Sequence, residues 1–349
     1  MTWSWQKNVN LARNARRGKL NEFPKQLLKT SEFELSTFPV GYHGWQELDL
    51  ANQVKVPIAL ACGRNPGPLL FVSASVHGDE FEGIVAIQEF FRELDTDSLK
   101  GTFIGLPIAN PYAFEGQTRE SSLPVDGLNL ARQFPGNVNG SPTQCLAASL
   151  YGLVTRLLGS DDLFVDFHSG GTRYEYLTMV GYHPTGDVVE EKSRNLARAF
   201  GVTTLWEIPP SPNSTATFNG AVARAGIPTI GTEVRGRGGL LACDVAPLTR
   251  GLKRLLVASG MMEGKIDDVY YGAPTVTEPI NCSESGILKS NAEIGERVKE
   301  GSELAQIVNT KGELLERITT SSAGIVWAMR RFGSIRSGEM AYLIGVAAR

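Results

Sequence analysis

Between residues 54 and 261 the chain alternates short apolar runs rich in β-branched residues with stretches of helical periodicity, and few architectures satisfy both patterns. Strand signals fall at residues 54–61, 69–76, 102–108, 163–167, 176–180 and 228–232; helical patterns fall at 82–94, 146–158, 190–200 and 248–261. The first two runs, separated by Gly63-Arg64-Asn65-Pro66-Gly67-Pro68, are expected to be neighbouring strands. The alternation predicts an α/β domain built on a largely parallel or mixed sheet. Ligand sites in such sheets gather beyond the carboxyl ends of strands. His77, Asn110, His168 and Glu233 each stand at or just after such an end.

The flanks differ. Residues 1–44 form an N-terminal extension, polar and basic at first, with a helix expected to pack on the main domain; 45–265 form the α/β domain; 266–349 turn to short strands and Gly-rich turns. In this last part Ser285-Gly286-Ile287-Leu288 is echoed by Ala323-Gly324-Ile325-Val326, which predicts a small β-sandwich of two hairpin units. The segment resembles the barrel-sandwich architecture of biotinyl and lipoyl domains. Lys311 falls near the place of their modified lysine, but Asn309-Thr310-Lys311-Gly312 lacks the attachment sequence and reads as a surface turn.

A net charge of -3 gives no electrostatic reason to expect nucleic acid or an acidic membrane as partner. The basic N-terminus lacks the apolar core of a secretory signal, and no run approaches the roughly 18 to 20 apolar residues that span a bilayer. The four cysteines are scattered, as expected of thiols in a reducing compartment. A cytoplasmic protein is expected.

With only four histidines, the setting of each is informative. Ser75-Val76-His77-Gly78-Asp79-Glu80 places His77 and Glu80 three apart in a tight turn after a strand. Zinc favours imidazole and carboxylate ligands, and a catalytic site needs three plus an open position. His168 offers a third: in Leu163-Phe164-Val165-Asp166-Phe167-His168 it shares a strand face with Asp166, in an otherwise apolar run where polar groups are costly. Taken singly, His77 to Glu80 could be a capped helix start and His168 a hydrogen-bonded core histidine.

Hydrolysis needs a base as well. Glu233, ending an apolar strand before Gly-rich sequence, is the best candidate, against a plain surface carboxylate at a strand end. The polar stretch from Asn110 to Gly136 carries Arg119 and Arg132; arginine suits the gripping of a carboxylate or the stabilisation of an oxyanion.

The motifs H-G-D-E-x-x-G, N-P-x-A-F through D-G-x-N-L-x-R-x-F-P-G, D-x-H and the late T-E together resemble the succinylglutamate desuccinylase/aspartoacylase family over roughly residues 45–265. The resemblance implies a zinc carboxypeptidase-like mixed sheet flanked by helices, with a small C-terminal β domain. It implies one zinc ion per chain on His77, Glu80 and His168, with Glu233 as general base and acid. Arg119 would stabilise the oxyanion, and Arg132 would anchor the substrate carboxylate. Asn129 is expected beside the substrate or behind His77, orienting its ring without adding charge. Ala131 departs from the family's usual asparagine, which weakens any assignment of the amino acid released.

The activity implied is removal of a small acyl group, acetyl or succinyl, from an N-acyl amino acid; members include deacetylases of N-acetyl-diaminobutyrate. A carboxypeptidase or peptide amidase using the same chemistry is the competing enzyme, and a catalytically silent binding protein is the competing non-enzyme. Arg173, Tyr174, Tyr176, Arg235 and Arg237 are further candidates for the pocket. Assembly of copies through sheet edges or the tail is compatible with the sequence.

Overall fold

The computed structural model describes residues 27–267, 269 and 275–347; the expected N-terminal helix falls mostly on residues outside this set. The strand Leu163–Ser169 lies inside a fourteen-stranded mixed sheet, parallel to Asn65–Ser73 on one side and to Thr229–Val234 on the other. Every residue of it but His168 is buried. Parallel strands covered on both faces read as continuous apolar runs, and this is why 163–167 and 228–232 stand out in the sequence.

Alternation divides these side chains between two cores. Leu163, Val165 and Phe167 join the core beneath the helices Glu82–Glu93, Val188–Phe200 and Ala242–Ala258. Phe164 points the other way, into the core shared with Pro142–Leu157 and Phe218–Arg224. Asp166 and His168 follow Phe164 by the period of two, so their polar groups leave the sheet on that second face.

Two expectations are corrected. Lys55–Cys62 and Asn65–Ser73 are not neighbours, because Lys100–Leu106 lies between them, antiparallel to the first and parallel to the second. Pro66 and Pro68 remove backbone donors that a hairpin would use. The chain instead packs its glycines against the inserted strand: a Cβ on Gly67 would lie 2.7 Å from the Lys100 carbonyl carbon, and Gly63 N donates to Gly101 O at 2.8 Å.

The run 176–180 is likewise not one strand. Tyr174–Tyr176 pairs with the distant Gly324–Arg330, while Met179–Tyr182 pairs with Thr229–Val234. The first segment finds its ladder partner far along the chain, which local periodicity cannot reveal.

Past Thr204–Glu207 the large sheet continues through Thr275–Asn281, Met340–Ala347, Gly324–Arg330 and Arg297–Val298. Facing these strands is a four-stranded sheet of Leu314–Thr319, Glu303–Val308, Gly286–Ser290 and Ser334–Ile335. Leu288, Leu304, Ile307, Val326 and Ile344 are buried in the core that these strands share. The echoed glycines Gly286 and Gly324 open strands in opposite sheets. A mixed α/β fold with a β-rich C-terminal part is thus the architecture, as expected. Lys311 sits in the exposed turn before Leu314, its N donating to Asn309 Oδ1 at 2.9 Å. Among the described residues no helix is long and apolar enough to cross a membrane.

Candidate metal centre and substrate cavity

The loop carrying His77 and Glu80 leaves the strand Asn65–Ser73 and turns through Ser75, whose φ of 54° is left-handed. Gly78 is required there. A Cβ on it would lie 1.9 Å from the Ala113 carbonyl carbon, so only glycine lets the loop press against the helix Pro111–Gly116. Asn110 holds the other side: its Oδ1 caps that helix at Ala113 N, 3.2 Å, and its Nδ2 donates to Val76 O at 3.2 Å. The conspicuous N-P pair is therefore a cap followed by a proline in the first turn.

His77, Glu80 and His168 each present a ligand-type atom, all within 4.8 Å of one another. Nδ1 of His77 lies 2.7 Å from Glu80 Oε1, and Nδ1 of His168 lies 2.9 Å from Glu80 Oε2. The far nitrogens have acceptors: His77 Nε2 donates to Asn129 Oδ1 at 3.2 Å, and His168 Nε2 donates to Asp166 Oδ2 at 3.1 Å. Asp166 is in turn held by the Ser73 hydroxyl at 2.7 Å. With Nε2–H held outward, each ring that gives up its Nδ1 proton turns a lone pair inward, the arrangement metal-binding histidines use. This donor set fits a tetrahedral zinc ion with one position left open.

Charge in the cluster is divided unevenly. Burial, reinforced by the Arg119 guanidinium, pushes His77 down to about 4, so its ring stays neutral. Burial opposes the ionised form of Glu80, but the two imidazoles outweigh it and hold its carboxyl well below the usual range. His168 is disfavoured as a cation by burial, yet Asp166 and Glu80 raise it well above the ordinary imidazole value.

Glu233 stands beside His168 in register on the adjacent strand. Burial, supported by the carboxylates of Glu80 and Asp166 and opposed by His168 and Arg119, pushes it up to about 8. Its Oε2 is buried without a hydrogen-bond partner. Such a group, near neutrality and pointed into a cavity, is suited to carrying a proton. Arg119 donates from Nη1 to Glu80 Oε1 at 3.2 Å. Arg132 lies in the short 3-10 turn Leu130–Arg132, donating from Nη1 to Ala131 O at 2.7 Å, and Asn129 caps that turn by accepting from Ala131 N at 2.9 Å.

These groups open on a cavity of about 310 Å³. Of the further candidates, Tyr176 lines it. Arg173 faces Glu120 and Glu339, and Arg235 and Arg237 gather on Glu175. Sequence reasoning missed the remaining wall, notably His183, Trp206, Asn219, Thr277, Pro279 and Leu343. The scarcity of histidine was the one available signal for His183, whose Nε2 lies 2.9 Å from Asn219 Oδ1. His43 has no part in the site: it stacks on Phe91 with centroids 4.0 Å apart, and its Nε2 lies 2.8 Å from the Phe91 carbonyl oxygen.

Comparison with known proteins finds similarity along most of the chain. The profile of the succinylglutamate desuccinylase/aspartoacylase catalytic domain matches residues 66–259. The N-alpha-acetyl-L-2,4-diaminobutyric acid deacetylase of Halomonas elongata is 28% identical over 335 residues, 90% of this chain and 94% of that protein. A succinylglutamate desuccinylase from Silicibacter superposes with a TM-score of 0.77 at 26% identity, covering 89% of this chain and 98% of the other. The ectoine utilization protein EutE of Ruegeria pomeroyi, at 24% identity over the same shares, gives a TM-score of 0.77 and speaks to the fold alone. With more than half of its length matched by the catalytic-domain profile, this chain belongs to the succinylglutamate desuccinylase/aspartoacylase family.

Proposed function

We propose that the protein is a zinc-dependent amidohydrolase that removes a small acyl group from an N-acyl amino acid. One observation carries the reading: two imidazoles and a buried carboxylate converge, each imidazole anchored from behind, with the partnerless Oε2 of Glu233 beside them. The curated deacetylase, similar along most of its length, supports this substrate class.

His77, Glu80 and His168 would hold the metal. Zinc bound there would supply Lewis acidity toward the acyl oxygen and would make a water at the site easier to ionise. Glu233 takes the proton of the attacking water and passes it to the leaving nitrogen. Arg119, beside Glu80, places its guanidinium where negative charge develops on the acyl oxygen. Arg132 pairs with the substrate carboxylate.

The carboxypeptidase or peptide-amidase alternative is less well supported. Thr277, Pro279 and Leu343 from the C-terminal part close one side of a 310 Å³ cavity, a size suited to a single modified amino acid. The test is metal analysis of the purified protein followed by release of free amine from a panel of N-acetyl and N-succinyl L-amino acids. Zinc at one per chain with hydrolysis of at least one member is expected. Protein with no bound zinc, or with zinc and no turnover, would favour a silent binding protein.

A further inference from the structure

Tyr176 sits in the cavity wall with Arg119, Arg132 and Glu233. Burial raises its phenol far above the ordinary range, with the Glu233 carboxylate acting in the same direction, so the hydroxyl keeps its proton. That hydroxyl makes no hydrogen bond to the other described residues. Burial and Arg119 lower the Arg132 guanidinium, while Tyr176 and Glu233 act against them, and the tyrosine shares the cavity wall with both cations.

Its strand is held from both sides. Tyr174–Tyr176 is laid against Gly324–Arg330, with Tyr176 opposite Ala328, and Tyr176 N donates to Arg235 O at 3.1 Å. Glu175 points to the opposite face and is only 6% exposed. Its Oε2 accepts from Arg331 Nε at 2.6 Å, and its Oε1 accepts from Arg237 Nη1 at 3.3 Å with Arg235 Nε at 3.9 Å. One carboxylate thus ties the loop after Glu233 to the C-terminal part, with Tyr176 fastened between them.

We propose that Tyr176 contacts the substrate, its hydroxyl donating a hydrogen bond to the substrate carboxylate beside Arg132, and that Glu175 is the residue that positions it. A neutral donor beside a guanidinium completes a carboxylate site, since one arginine fork leaves lone pairs of the carboxylate unmatched. It also gives the C-terminal strand Gly324–Arg330 a part in recognition without touching substrate. The assignment rests on the N-acyl amino acid reading above.

The experiment uses zinc-loaded full-length protein, the panel of N-acyl amino acids, and the methyl ester of the best member. Tyr176→Phe is expected to raise KM for the acid by about tenfold to a hundredfold, the range for a hydrogen bond to a charged group. Turnover should stay within about twofold, zinc content should not change, and the ester should be handled as by wild type. Glu175→Gln should raise KM in the same sense and add nothing on top of Tyr176→Phe. Arg331→Gln, outside the cavity, reads the same clamp if Glu175→Gln does not fold. No hydrolysis of any panel member by wild type overturns the deacylase reading itself. Hydrolysis with KM unmoved by Tyr176→Phe, or with turnover lost equally for acid and ester, overturns the carboxylate contact alone. Additive losses in the double variant overturn the positioning role of Glu175.

Discussion

Asp166 and His168 stand two apart on one strand, and the Asp166 Oδ2 atom accepts from His168 Nε2 at 3.1 Å while its Oδ1 accepts from Ser73. The strand's period of two puts them on one face, and the fully buried Asp166 carboxylate holds the outer nitrogen of the ring while Glu80 faces the inner one. Asp166→Asn keeps the shape but removes the charge, and Asp166→Ala removes both. Each should weaken zinc affinity, by about tenfold to a hundredfold for loss of such a partner, with alanine the worse. Competition against a chromophoric chelator measures it; unchanged affinity in both variants would detach Asp166 from the metal site.

Glu233 makes a prediction about pH that needs no substrate. Its folded-state value of about 8 stands above the ordinary 4.5, so between those values the metal-free native state holds a proton that the unfolded chain has released. Unfolding free energy from this group therefore falls as pH rises from about 4.5 to 8 and is level above. Glu233→Gln removes the titration. Urea unfolding of metal-free protein should show wild type losing stability relative to the variant across that window; parallel curves would contradict the buried, protonated state.

What the sequence could tell follows from where each residue finds its partners. His168 and Glu233 end strands buried on both faces, and such strands announce themselves as apolar runs whose terminal polar residue stands out. Asn110 stood out only as a polar residue after a strand; that its side chain caps Pro111–Gly116 emerges from the structure. The insertion of Lys100–Leu106 between Lys55–Cys62 and Asn65–Ser73 was not visible, since pairing order is set by packing rather than by neighbouring residues. Thr277, Pro279 and Leu343 reach the cavity only because the large sheet runs on from Trp206 into Thr275, a contact with no local signature.

Arg119 lies against Glu80 yet faces the cavity, so its removal separates metal binding from chemistry. Arg119→Ala should keep zinc and lose turnover by about 100- to 1,000-fold, the usual effect of deleting one oxyanion donor. Metal content with steady-state rates checks this. Near-normal turnover with zinc in place would remove Arg119 from the reaction.

Gly78 offers the strictest test of the loop that presents two of the three ligand candidates. A Cβ there would meet Ala113 C at 1.9 Å, Ala113 O at 2.0 Å and Phe114 N at 2.2 Å, all backbone atoms that cannot rotate away. Either the loop or the helix Pro111–Gly116 must move. Both are tied to each other, through Gly78 N to Thr118 O at 2.9 Å and Asn110 Nδ2 to Val76 O. Gly78→Ala should therefore lower the melting temperature and weaken zinc binding together, because the same displacement carries His77 and Glu80 away from His168. The control is Gly152→Ala in the helix Pro142–Leu157, where a new Cβ meets nothing within 4 Å; better helix propensity should there leave stability equal or slightly higher. Equal melting temperatures and zinc affinities for Gly78→Ala and wild type would mean that the loop does not need its close approach to the helix.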